Sequence, residues 1–243
     1  MKVVFINGSP KKNNSASNYF LKLLTAFLKE KTIIEKLRTQ NDYDRILKQI
    51  ETADTVVFSI PLYVDNVPSH VLSFLLEMEH FCVERSLNLK VYAIANNGFI
   101  EGKQNKPLFR VLENFCIRSD IEWGGGLGIG GGVMFNALKF VFLIEVAIFF
   151  ISAFVSGFLY NDWLPIIAIQ NLIIMIFIIL FLHLGVLFYM MRLGRNINKG
   201  NFADIKYTRV LIPSFIFILF ADMFFMVSSI LKGGIFKGWL SKK

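Results

Sequence analysis

From residue 140 to residue 191 the chain carries no lysine or arginine, and from Leu164 to Met191 it carries no charged side chain of either sign. A helix needs roughly 20 mostly apolar residues to cross the hydrocarbon core of a bilayer. Leu164–Met191 meets that requirement, and so does Ala137–Tyr160, which is broken only by Lys139 at its edge and Glu145 inside. Between them "NDWLP" reads as a turn, with Trp163 suited to interface depth and Pro165 suited to open a helix. The expectation is a transmembrane helical hairpin in residues 133–191, with spans at 137–160 and 164–191.

Charge separates this region from what precedes it. Residues 1–132 hold 16 Lys+Arg against 14 Asp+Glu, whereas residues 133–243 hold 10 against 4. The first part is therefore balanced, as a soluble domain is, and it lacks the basic face that a nucleic-acid partner requires. The hairpin turn carries Asp162 and no cation, while Arg192, Arg195, Lys199, Lys206 and Arg209 follow the second span. By the positive-inside rule, residues 1–132 and a basic linker at 192–209 lie on the cytoplasmic side of the cell membrane. A further apolar stretch, Val210–Leu231, opens a C-terminal region of residues 210–243 and is long enough to cross. Crossing would export Lys232, Lys237, Lys242 and Lys243, and the stretch contains Pro213 and Asp222. An apolar helix lying in the interface, with Trp239 and the basic tail as anchors, is preferred over a third span.

The soluble part alternates strands and helices. "KVVFIN", "TIIEKL", "TVVFSI", "KVYAIA" and "EWGGGLGIG" read as strands, from short apolar, mostly β-branched runs bounded by turn residues. Helical spacing marks Ser17–Lys29, Asp42–Ala53, Ser69–Phe81 and Lys106–Ile117. Five strands alternating with four helices predict an α/β fold, a flavodoxin-like parallel sheet of order 2-1-3-4-5 with helices on both faces. Ligands of such sheets bind outside the carboxyl ends of the strands, where the strand order reverses. The loops after strands one, three and four are therefore the ones to read.

The first, "NGSPKKNNSAS", combines a tight-turn glycine, serine hydroxyls and two lysines with the start of a helix, whose free N–H groups favour an anion. It is not a Walker A loop, because Asn13 replaces the required glycine. With it, "PLYVDNVPSHVLSFLLEME" and "NNGFIEGKQN" resemble, in the expected order, the three flavin loops of the flavodoxin-like NAD(P)H-dependent FMN reductases. The resemblance spans residues 1–132. It implies that Ser9, Ser15, Ala16 and Ser17 surround an FMN phosphate, and that Pro61, Leu62, Tyr63 and Val64 line the isoalloxazine edge, with Asn97, Gly98 and Phe99 closing the other side. It also implies NAD(P)H as electron donor, a small-molecule electron acceptor, and pairing of two subunits over the flavin. Tyr63 and Phe99 are placed to stack on the ring. No catalytic side chain is assigned, because the flavin carries the chemistry.

Other patterns are set aside. Gly126-x-Gly128-x-x-Gly131 matches a dinucleotide fingerprint, but it follows the fifth strand, and "ISAFVSG" further on holds no acid for a ribose. Cys82 and Cys116 form no CxxC pair and are read as buried, reduced thiols. Two distant cysteines cannot supply the four ligands of an iron–sulfur cluster, so no metal is expected. Glu145 and His183, each eight residues from a cytoplasmic span end, are expected at one depth, as a polar pair serving a proton relay or quinone pocket or simply joining two helices. The leading expectation is a membrane-anchored FMN-dependent NAD(P)H oxidoreductase passing electrons to a quinone, a flavin or another small acceptor. Its alternatives are a tethered electron-transfer module and a non-catalytic scaffold for a membrane partner.

Overall fold

The computed structural model describes residues 1–12, 15–30 and 32–231. The C-terminal Trp239 and the four terminal lysines invoked above lie outside the described residues. Two compact units are present, Met1–Val210 and Leu211–Lys243.

The first unit is built on one six-stranded parallel sheet: β1 (Val3–Asn7), β2 (Thr32–Lys36), β3 (Thr55–Pro61), β4 (Lys90–Asn96), β5 (Glu122–Gly130) and β6 (Ala203–Arg209). The spatial order is β2-β1-β3-β4-β5-β6, which contains the expected flavodoxin-like order and adds one strand to it. Helices α1 (Ala16–Thr25), α2 (Tyr43–Ile50), α3 (Ser69–Arg85) and α4 (Lys106–Arg118) connect the first five strands. Two longer helices follow, α5 (Gly132–Tyr160) and α6 (Ile166–Lys199).

Every residue of β1 and β3 is buried, as a parallel sheet covered on both faces requires. Alternate strand residues face opposite layers. Val4, Ile6, Val56, Phe58, Val91 and Ala93 join the core packed with α2, α3 and α4. The other face carries Val3, Phe5, Val57, Tyr92 and Ile129, all with essentially no exposed surface. It is covered by α1 and by the second half of α6, whose buried residues His183, Val186, Met190, Leu193, Gly194 and Ile197 recur at helical spacing.

The glycine run of β5 serves packing. A Cβ on Gly126 would stand 2.6 Å from the Phe109 ring and one on Gly125 would stand 1.6 Å from the Ala203 carbonyl oxygen, with Gly125 itself at φ +108. β5 is thus pressed between α4 and β6, so side chains larger than hydrogen are excluded on steric grounds, and no nucleotide is needed to explain the pattern.

Residues 192–209 are not a linker. Arg192–Lys199 are the last turns of α6, and Ala203–Arg209 are the edge strand β6. Alternation is hard to read in "ADIKYTR" because the outer strand is only partly buried. The whole segment α5–turn–α6 is therefore the crossover connection between parallel strands β5 and β6, drawn out into a hairpin. Its outer portion is long and apolar enough to span a membrane in both legs, and of Leu138–Tyr160 only Gly157 is buried.

The second unit holds the apolar helix α7 (Ser214–Leu231), which begins after Pro213 and exposes Phe215, Ile218, Leu219 and Met223.

Candidate functional site

Three loops leave the sheet at its carboxyl edge, two of them from β1 and β3, the neighbours between which the strand order reverses. In the first, Gly8 N–H donates to the Ser59 carbonyl at 2.9 Å and Ser9 N–H donates to Asn7 Oδ1 at 3.0 Å. Ser15 caps α1, its hydroxyl accepting from Asn18 N–H at 3.1 Å. Tyr19 N–H is taken by the Ser15 carbonyl, so the N–H groups of Ala16 and Ser17 have no partner among the described residues. Ser9, Ser15 and Ser17 are all nearly buried. Two unsatisfied N–H groups, the positive end of a helix dipole and flanking hydroxyls form a donor set suited to a phosphate.

Ser17 has a second task. Its hydroxyl accepts from Asn96 Nδ2 at 2.9 Å, and its carbonyl accepts from the Ser59 hydroxyl at 3.0 Å. Asn96 Nδ2 also reaches the Ile60 carbonyl at 3.3 Å, so this one buried amide joins the ends of β3 and β4 to the first loop. Arg38 ties the same loop from the β2 side, donating to the carbonyls of Lys11 at 3.2 Å and Lys12 at 2.7 Å. His70, at the start of α3, sets Nε2 3.1 Å from the Gly8 carbonyl, which requires that nitrogen to carry the proton. Burial holds the His70 pKa below its ordinary 6.5, and contacts with the Gly8 and Leu37 backbone oppose that shift. Asn96, Arg38, Ser59 and His70 were not singled out from sequence. Each acts through a backbone carbonyl or a side chain distant in sequence, and no local motif records such a bond.

In the second loop Pro61 ends β3 and Leu62 N–H donates to the Asn96 carbonyl at 2.7 Å. Tyr63 and Asn66 exchange both backbone bonds at 3.0 Å around Val64 and Asp65, whose φ values are 47 and 57. This is a two-residue hairpin turn with both central residues left-handed, a place that favours Asn and Gly. A β-branched valine there costs about 1–3 kcal/mol of backbone strain. Val64 is also 99% exposed, and Tyr63 is 42% exposed.

In the third loop Asn97 N–H donates to the Ile129 carbonyl at 3.1 Å and Asn97 Nδ2 to the Glu101 carbonyl at 3.1 Å. Asn97 Oδ1 is buried without a partner. A Cβ on Gly98 would meet nothing within 4 Å, and Phe99 is 62% exposed. Open space at Gly98 lets a ligand edge approach the backbone of this loop. The sequence-predicted residues therefore do gather along one edge of the sheet, with donors at the first loop and open backbone at the third. That distribution fits a phosphorylated heteroaromatic group such as FMN.

Glu145 and His183 do not share a depth. The His183 ring packs on Phe135 of α5, centroids 4.9 Å apart, and on Tyr19 of α1 at 6.2 Å, and its Nδ1 lies 2.7 Å from the Ile179 carbonyl. Glu145 lies ten residues beyond Phe135 on the same helix, about 15 Å further out at 1.5 Å per residue. No hydrogen bond or ion pair joins Glu145 to His183 among the described residues. The expected equal depth failed because the second half of α6 packs on the domain from His183 onward, which the hydropathy pattern does not reveal.

No family model matches the sequence, and no curated protein matches it. Solved structures with a similar arrangement include the Trp repressor binding protein from Bacillus subtilis, at 18% identity and a TM-score of 0.46, covering 54% of this chain and 85% of that one. An NADPH-quinone reductase from P. pentosaceus aligns at 12% identity and TM-score 0.45, over 54% of this chain and 86% of that one. The general stress protein 14 from Treponema denticola, in complex with FMN, aligns at 15% identity and TM-score 0.44, over 52% and 84%.

Proposed function

We propose that this chain is a membrane-anchored, FMN-dependent oxidoreductase that takes a hydride from NADPH or NADH and passes electrons to a quinone, a flavin or another small acceptor. The observation that supports it is the carboxyl edge itself, where a phosphate-type donor set at the α1 terminus faces an open glycine loop. Bound FMN would supply the two-electron carrier. The protein's part is to seat and orient it. Ala16 and Ser17 N–H groups, with the Ser9 and Ser15 hydroxyls, hold the phosphate. Backbone groups of Pro61–Val64 and Asn97–Phe99 border the ring, and Tyr63 and Phe99 supply aromatic faces. In the overall reaction with a quinone, the donor gives up two electrons and a proton as hydride, water supplies a second proton, and a quinol results.

In this reading the hairpin tethers the domain to the cell membrane, and the run of cations after it supports a cytoplasmic domain, where reduced nicotinamide is available. The test is anaerobic spectroscopy of the full chain in detergent. Addition of NADPH or NADH should bleach the oxidised-flavin absorbance, and a quinone should restore it. Bleaching by dithionite alone, with no response to either nicotinamide, contradicts the proposal.

A further inference from the structure

The hairpin and the candidate site leave the sheet from the same edge. α5 begins directly beyond the carboxyl end of β5, where Gly132 N–H bonds the Asn97 carbonyl at 2.8 Å. Its first turn meets the domain through Phe135, whose ring packs on Tyr19 and Phe20 of α1. α6 comes back onto the domain at His183, beside Tyr19, and continues to the amino edge, where Lys29 N–H donates to Asn198 Oδ1 at 3.1 Å and the Tyr92 hydroxyl donates to the Asn201 carbonyl at 2.7 Å. The unburied parts of both helices therefore project beyond the carboxyl edge, on the side where the three loops open.

Distances fix how near the bilayer must be. Lys139, exposed, is the last cation on α5, seven residues and about 10 Å past Gly132. From Phe140 to Tyr160 the helix rises about 31 Å, which matches a hydrocarbon core of about 30 Å. The headgroup layer on each side is roughly 5–8 Å deep, so the loops of the carboxyl edge reach it.

Those loops carry the side chains such a layer selects. Lys11, Lys12, Lys103, Lys106 and Arg209 stand at this edge, and none of them enters an ion pair among the described residues. Among these cations project Tyr63, Val64 and Phe99, together with the exposed acids Asp65 and Glu101, so the edge as named is positive on balance. The almost fully exposed Val64 stands at the tip of its turn, where an apolar side chain can enter the interface of a bilayer.

We propose that the carboxyl edge of the sheet is a membrane-docking face, seated on an anionic leaflet by Lys11, Lys12, Lys103, Lys106 and Arg209, with the Val64 side chain at its turn tip dipping into the interface. The cofactor crevice then opens at the headgroup layer, and an acceptor dissolved in the membrane reaches it without entering bulk water. This last consequence rests on the flavin part of the preceding functional reading, and the docking rests on its membrane-anchoring part.

The test uses the full chain, with or without flavin, in detergent and in phosphatidylglycerol-rich vesicles, treated with a membrane-impermeant amine reagent and mapped by mass spectrometry. Lys11, Lys12, Lys103 and Lys106 should label several-fold more slowly in vesicles than in detergent, while Lys2, Lys29 and Lys48 keep their rates. Charge reversal by Lys103→Glu with Arg209→Glu should restore labelling of Lys11 and Lys12. Equal labelling of both edges in vesicles overturns the proposal. A colourless protein that still shows the protected pattern would sink the flavin reading and leave the docking face standing.

Discussion

Replacing Ile197 by alanine asks whether the segment after the second span is part of the folded domain. Ile197 has no exposed surface, and the next residue, Asn198, donates to the Phe27 carbonyl at 2.9 Å, so α6 is fastened to the segment that follows α1 at this level. The substitution removes three carbon groups, worth about 2.4 kcal/mol in transfer free energy at about 0.8 each. The cavity left between α6 and the sheet raises the expected loss to about 3–4 kcal/mol. Phe177→Ala, on the same helix but in its outward half and 67% exposed, serves as the control and should cost under about 0.5 kcal/mol in detergent. The assay is urea unfolding in a mild detergent, followed by Trp123 fluorescence in a background with Trp163→Phe and Trp239→Phe. A loss below about 0.5 kcal/mol for Ile197→Ala would show that the end of α6 is a loose linker after all.

Further outcomes concern the site and its surroundings. Asn96→Ala leaves the Ser17 hydroxyl and the Ile60 carbonyl without their shared donor, so stability should fall by about 1–3 kcal/mol and FMN should bind more weakly; unchanged urea midpoint and affinity would count against the amide as the tie between loops. Because burial lowers the His70 pKa, the unfolded chain takes up the proton first as pH falls. Stability should be full above pH 6.5 and decline as pH drops from 6.5 toward the depressed value, and His70→Gln should flatten this part of the curve measured by thermal melts. Burial pushes the Cys82 and Cys116 thiols up to about 11 and about 12, so at pH 8 neither should react with an aromatic disulfide reagent until the chain is denatured; rapid reaction in the native protein would contradict this.

The five central strands and four helices were legible because buried parallel strands are short apolar runs and their helices keep an amphipathic period. Helix ends shifted by a few residues, as where α3 continues to Arg85 and closes on the left-handed Ser86. β6 escaped because an edge strand needs no apolar alternation, and its neighbour's glycines, which as a sequence match only a dinucleotide fingerprint, are what admit it. The double use of α6 escaped for a related reason. Hydropathy treats an apolar residue facing lipid and one facing a sheet alike, so Leu180 and Val186 read the same although one is half exposed and the other fully buried. The polar pair failed with it, since the hydropathy pattern does not reveal that α6 packs on the domain from His183 onward. In the site, the loops and their serines were visible from composition, whereas Asn96 and Arg38 were not, because their partners are brought near only by the sheet.

The central claim is that the carboxyl edge binds FMN, and titration of FMN into the full-length chain in detergent tests it most directly. Flavin fluorescence, followed at fixed FMN and rising protein, should change saturably with one FMN per chain. Ser15→Ala, which removes a phosphate-side hydroxyl and the α1 cap together, should weaken binding by about tenfold, the equivalent of one charge-assisted hydrogen bond. Fluorescence identical to that of free FMN at every protein concentration would contradict the account.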